Sequence, residues 1–133
     1  MSKLNLDDRG VIAGGYDVVA YFKSTAAVEG RSEFEATHAG AKYRFANADN
    51  KRAFEAAPEK YAPAFGGFCP FGIVAMGQCA PTNPKTFRIQ DGRLLLFFND
   101  LWEGKPFDTS AKWDEDPKQM LVKADAAWPT VGA

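Results

Sequence analysis

Between Tyr43 and Cys69 the chain reads YRFANADNKRAFEAAPEKYAPAFGGFC, and no other stretch limits its fold as tightly. Tyr43 and Phe45 share one face of a short strand, because side chains alternate along extended backbone. Asn47 is suited to cap a helix, its side-chain oxygen taking up free N–H groups at the helix start. Asp49 in the first turn complements the helix dipole. Asn50, Ala53, Phe54 and Ala57 then fall on one helical face, with Ala53, Phe54 and Ala57 as its apolar part. Pro58 stops the helix by removing a donor and crowding the preceding turn. Pro58 to Tyr61 can open a further short turn, and Gly66-Gly67 makes a corner that delivers Cys69.

Around this centre other elements follow. The β-branched and aromatic segment Tyr16 to Phe22 predicts a strand. Glu33 to His38 and Lys42 to Ala46, joined at Ala39-Gly40, predict a hairpin. A second hairpin pairs Thr86 to Gln90 with Arg93 to Phe98 through Asp91-Gly92, which supplies the positive-φ turn residues. The apolar run Leu94 to Phe98 implies burial on both faces. Gly66 to Gly77 reads as backbone with tight corners, and Ala80 to Lys85 as a loop. Asp116, Pro117 and Gln119 mark a helix start, and Leu121, Ala124 and Trp128 keep helical spacing until Pro129. The expected fold is α+β, a small, mostly antiparallel sheet with packed helices. A single domain over residues 14–129 would carry a polar, loose N-terminal tail at 1–13 and a short C-terminal tail at 130–133.

The chain has 133 residues, 46% hydrophobic and 25% charged, enough for one modest core. Eleven Phe, four Tyr and three Trp supply large apolar surfaces to fill it. A formal net charge of −1 gives nucleic acid or an anionic membrane surface no basic footprint to attract. No apolar run approaches the roughly 18 residues of a membrane span. The opening MSKLNLDDRG has no apolar signal core, so the chain as written is expected in the cytoplasm. Two cysteines are too few for a disulfide scaffold, and one histidine excludes two-His zinc signatures.

Several segments in order are similar to the YHS domain family, in its stand-alone bacterial branch. GYDVVAYF, from Gly15, resembles an opening GYDPVAYF pattern with Val18 in place of proline. GAKYRFANADNKRAFEAAPEKYAP resembles the central module, and GGFC at Gly66 to Cys69 resembles a GGYC element. DGRLLLFFND and the closing ADAAWP resemble the C-terminal half. The likeness implies a small module associated with transition-metal handling, copper above all. It also implies frequent export in this branch, so removal of a leader would place the chain in the periplasm instead. Metal-binding members carry thiolates at positions that here hold Ala20, Ala46 and Asn50. Alanine has no donor, and asparagine is a poor ligand for soft ions.

Any soft-metal site must therefore be relocated. The remaining donors are Cys69, Met76, Cys79 and His38, with the three sulfurs spaced C-x6-M-x2-C on a glycine-kinked segment. Cu(I) favours thiolate and thioether ligands, so copper is the expected cofactor of such a site. The plainer reading makes Met76 a core filler, the cysteines small buried hydrophobes and His38 an exposed turn residue. Tyr61, Phe65, Phe68 and Phe71 are candidates to line an apolar pocket around Cys69 that takes a small molecule. The glycines match neither phosphate-binding fingerprint, and no catalytic residue can be nominated. The leading expectation is a non-enzymatic YHS-like binding module for a metal ion or small molecule. The alternatives are a thiol-dependent redox or small-molecule enzyme acting through Cys69, and a structural or interaction domain with Cys69 buried. Oligomeric state is not legible.

Overall fold

A computed structural model describes residues 2–133, and one strand organises it. Strand β4 (Arg93–Phe97) carries four consecutive residues, Leu94 to Phe97, with no solvent exposure. Because a strand projects alternate side chains to opposite sides, Leu94 and Leu96 enter one apolar cluster while Leu95 and Phe97 enter another. The strand is a partition with a core on each face, as its unbroken apolar run implies.

The first core holds Val18, Val19, Tyr21, Phe45, Phe54 and Tyr61 among others. Its walls are the antiparallel hairpin of β1 (Arg31–His38) and β2 (Ala41–Phe45), helix α1 (Val18–Lys23), helix α2 (Ala48–Ala56) and the single turn α3 (Pro58–Tyr61). Asn47 caps α2 by accepting from the Asn50 N–H at 2.8 Å. The second core gathers Phe65, Cys69, Ile73, Trp113, Leu121 and Ala124. It is enclosed by α4 (Pro70–Met76), α5 (Thr109–Trp113) and α6 (Pro117–Val131). β3 (Asn83–Gln90) pairs with β4, and β5 (Asn99–Trp102) pairs with β6 (Lys105–Asp108). The fold is α+β, with six α-helices among the described residues and antiparallel pairing distributed over three two-stranded sheets. No helix among the described residues is long and apolar enough to cross a membrane.

Four local expectations are corrected. Tyr16 to Phe22 is not a strand: the Asp17 carboxylate takes the N–H groups of Val19 and Ala20 and starts α1. A capped turn overrides β-branched propensity here because nearly every side chain in it is buried, leaving no periodicity to read. The opening residues are not a loose tail. Lys3 N–H donates to Gly132 O at 2.7 Å, Asn5 N–H to Gly66 O at 2.8 Å, and Val11, Ile12 and Ala13 are core. Pro70 to Met76 is a helix rather than a run of corners, with Pro70 at its first position and Gly77 left-handed just past its end, the usual asymmetry of helix punctuation. Helix α6 runs through Pro129 to Val131, where Gly132 N–H bonds Trp128 O and closes the last turn.

Candidate functional site

Two places in the fold bear on function, and they lie in different cores. The first is Asp17, a carboxylate with no solvent exposure. Its Oδ1 accepts from Val19 N–H at 2.9 Å and Ala20 N–H at 3.1 Å. Its Oδ2 accepts from Ala46 N–H at 2.9 Å and from the Asn50 side-chain amide at 2.8 Å. Ala20, Ala46 and Asn50, the positions that the resemblance marks for thiolates, thus meet around one carboxylate. They do not fit a soft metal ion: the only side-chain donors among these residues are a carboxylate and an amide, and both Asp17 oxygens are already saturated by N–H groups. A hydrogen-bonded knot joins α1, the end of β2 and α2 there. Next to it, Tyr21 donates its hydroxyl to Pro84 O at 2.6 Å, and burial raises its ionisation well above the ordinary tyrosine value.

The second place is a cavity of about 240 Å³ on the far side of β4. Its inner end is set by Cys69, Gly72, Ala80 and Thr109, all buried. Gly72 belongs there for a packing reason: a Cβ at that position would lie 2.9 Å from the Ala80 methyl carbon. Three phenylalanines, Phe71, Phe98 and Phe107, form the walls, and Met76, Pro81 and Trp102 stand exposed at the mouth. The β5–β6 hairpin holds Trp102 and Phe107 in place. Its turn at Glu103-Gly104 has positive φ at both residues, as a tight hairpin requires.

The hydrogen-bond order inside this cavity is fixed by counting protons. Thr109 Oγ1 lies 2.9 Å from Phe98 O, which can only accept, so the threonine hydroxyl donates there. Cys69 Sγ lies 3.2 Å from Thr109 Oγ1, whose one hydrogen is already used, so the thiol is the donor of that pair. Cys69 also occupies the cap position before α4, yet its sulfur makes no capping bond. No buried side-chain nitrogen or oxygen among the described residues lacks a partner.

The sequence candidates are distributed as follows. Cys69 and Met76 line the same cavity. Cys79 does not: its sulfur faces Val131 O at 3.7 Å, and both cysteines are free thiols. His38 is brought to Glu59 at 3.1 Å and packs edge-on against Phe54, on the first core. Of the four aromatic candidates only Phe71 lines the cavity. Tyr61 packs edge-on against Phe22. Phe65 and Phe68 both turn to Trp128 of α6, because the left-handed turn at Phe65-Gly66-Gly67 reverses the chain before α4 begins. Among the described residues no group of three or more His, Cys, Asp or Glu is arranged to hold a metal ion. Phe98, Trp102, Phe107 and Thr109 escaped the sequence reading; the Glu103-Gly104 turn signal was the one trace of the hairpin that carries two of them. Set against family models, curated proteins and solved structures, the chain finds no match in any of the three.

Proposed function

We propose that this chain is a non-enzymatic, YHS-like binding module whose ligand occupies the cavity above Cys69. The observation that carries the reading is the cavity's combination of concavity, apolar walls and a paired polar floor, the usual make-up of a small-molecule site. The meeting of positions 20, 46 and 50 at Asp17 supports the family likeness, since positions spread over three elements converge as a shared scaffold would require. Acyl-transfer or redox chemistry through Cys69 has less support. His38, the one histidine, sits at Glu59, and the Cys69 sulfur is engaged with a hydroxyl rather than with a base or cation.

The test is amide-resolved NMR during titration with a panel of small apolar, amphiphilic and soft-metal probes. Shifts at Cys69, Ala80, Phe98 and Thr109 that disappear in Met76→Trp, which closes the mouth at an exposed position, support the reading. Shifts confined to other surfaces overturn it.

A second reading keeps the soft metal. Cys69 and Met76 share one cavity, and Cu(I) accepts thiolate and thioether sulfur with few ligands. Anaerobic titration of reduced protein with Cu(I) against a competing chelator, repeated on Cys69→Ser and Met76→Leu, decides it. Binding that survives both substitutions removes copper from this cavity.

A further inference from the structure

Resting on the reading that the Cys69 cavity is the binding site, we infer that its ligand is a neutral aromatic hydrocarbon-like molecule of one or two rings that asks no hydrogen-bond donor of the protein. Size sets the first limit. An apolar cavity of about 150 Å³ is enough to take benzene, and this one measures about 240 Å³. There is room for a substituted or fused ring and not for a large cofactor.

Wall chemistry sets the second. Phe71 meets Phe107 edge-on at 6.2 Å, and Phe98 meets Trp102 edge-on at 6.3 Å. Rings already set at right angles around one space offer a planar guest both edge-to-face and offset contacts. Cys69 and Met76 both line the cavity, and sulfur–aromatic contact is favourable.

Proton accounting sets the third. The Thr109 hydrogen is committed to Phe98 O and the Cys69 hydrogen to Thr109. A carboxylate or carbonyl on the guest would lose water and find no donor, costing roughly tenfold or more in affinity. No charged side chain lines the cavity. A quaternary ammonium would gain ring faces but no counter-charge, so the neutral ring is favoured over the cation that aromatic cages otherwise accept.

The experiment titrates intact protein with toluene and naphthalene, and with benzoate, benzyltrimethylammonium and decanoate as comparators. Tryptophan fluorescence and amide shifts report binding. The expected result is one-to-one binding of naphthalene and toluene, benzoate at least ~10-fold weaker than toluene, and loss of all binding in Met76→Trp. Ala80→Leu, which fills the inner end, gives the same loss by a second route should the first substitution leave a gap. Benzoate equal to toluene overturns the inference. So does decanoate or the ammonium at this cavity with no ring bound, an outcome that leaves the binding-module reading standing. No shift at the cavity with any probe overturns both.

Discussion

Asn50 donates its side-chain amide to the buried carboxylate of Asp17 across 2.8 Å, and so fastens α2 to the turn that starts α1. The same amide's oxygen lies 3.5 Å from Lys23 Nζ. Removing the donor leaves Asp17 Oδ2 with Ala46 N–H alone. Asn50→Ala is expected to cost about 1–3 kcal/mol, since a buried charged acceptor is left under-satisfied. Asp17→Asn should cost more, on the order of 3–5 kcal/mol, because an amide places an N–H where backbone donors already point. Urea midpoints of the two variants check both. An Asn50→Ala protein as stable as wild type would show that the knot is not what joins these elements.

Cys69 and Cys79 should differ sharply toward an alkylating reagent. Cys69 has no solvent exposure, whereas Cys79 is half-buried with only a long contact to Val131 O. Iodoacetamide under native conditions, read by peptide mass spectrometry, is expected to modify Cys79 first, with Cys69 following at the rate of local opening. Equal rates would indicate a reactive, accessible Cys69 and revive the enzyme reading.

The floor pair itself can be tested by shape. Thr109→Ser keeps the hydroxyl that accepts from Cys69 and donates to Phe98 O, and is expected to change stability by less than about 1 kcal/mol beyond the lost methyl. Thr109→Val keeps the volume and strands the thiol hydrogen, for an expected loss of about 1–2 kcal/mol. Thermal denaturation of the pair separates hydrogen bonding from packing. A valine variant equal to the serine variant would mean that the thiol hydrogen has no stabilising partner in Thr109.

Two glycines separate backbone strain from packing. Gly66 has φ +61°, and a Cβ there would lie 2.1 Å from Lys3 O. Gly92 has φ +74° with nothing within 4 Å. Gly92→Ala should cost about 1 kcal/mol from conformation alone. Gly66→Ala must in addition displace the N-terminal strap, and a loss of several kcal/mol is expected. Similar melting temperatures for the two would show that residues 3–6 are not held against this corner.

How much of this was legible depended on whether the signal was local. Asn47, Asp91-Gly92 and Asp116-Pro117 act through their own neighbours, so cap and turn chemistry found the elements they bound. Asp17 acts locally too, but the helix it caps is almost wholly buried, so a continuous apolar string hid a helix as readily as a strand. Pro70 and Gly77 bracket α4 in readable fashion, and the reading weighed the glycines instead. The cavity is different in kind. Cys69 to Pro81 meets Phe98 to Thr109 only after β3, β4 and the β5–β6 hairpin have folded, and no spacing rule connects them. Phe71 is readable as a candidate because it flanks the glycine corners around Cys69. Phe98 and Phe107 could be found only through the fold.

Tyr43 links the first core to alkaline pH. It is 4% exposed, and burial, with a smaller contribution from the Glu59 charge, pushes its hydroxyl up to about 12. In the unfolded chain the same group ionises near pH 10. Between these values the folded state keeps a proton that the unfolded state has released, so stability falls as pH rises through that window. Below pH 10 both states are protonated and Tyr43 contributes no pH dependence. A shift of this size corresponds to a loss on the order of 2 kcal/mol by the top of the window. Tyr43→Phe removes the ionisable group, leaving lysine titration and Tyr21 common to both proteins. Urea midpoints at pH 8, 10 and 11.5 should therefore diverge above pH 10, with the phenylalanine variant losing less. Parallel curves would mean that the Tyr43 hydroxyl reaches water in the folded protein, and that this edge of the core is wetter than the packing of Tyr43 on Phe54, with ring centroids 4.4 Å apart, allows.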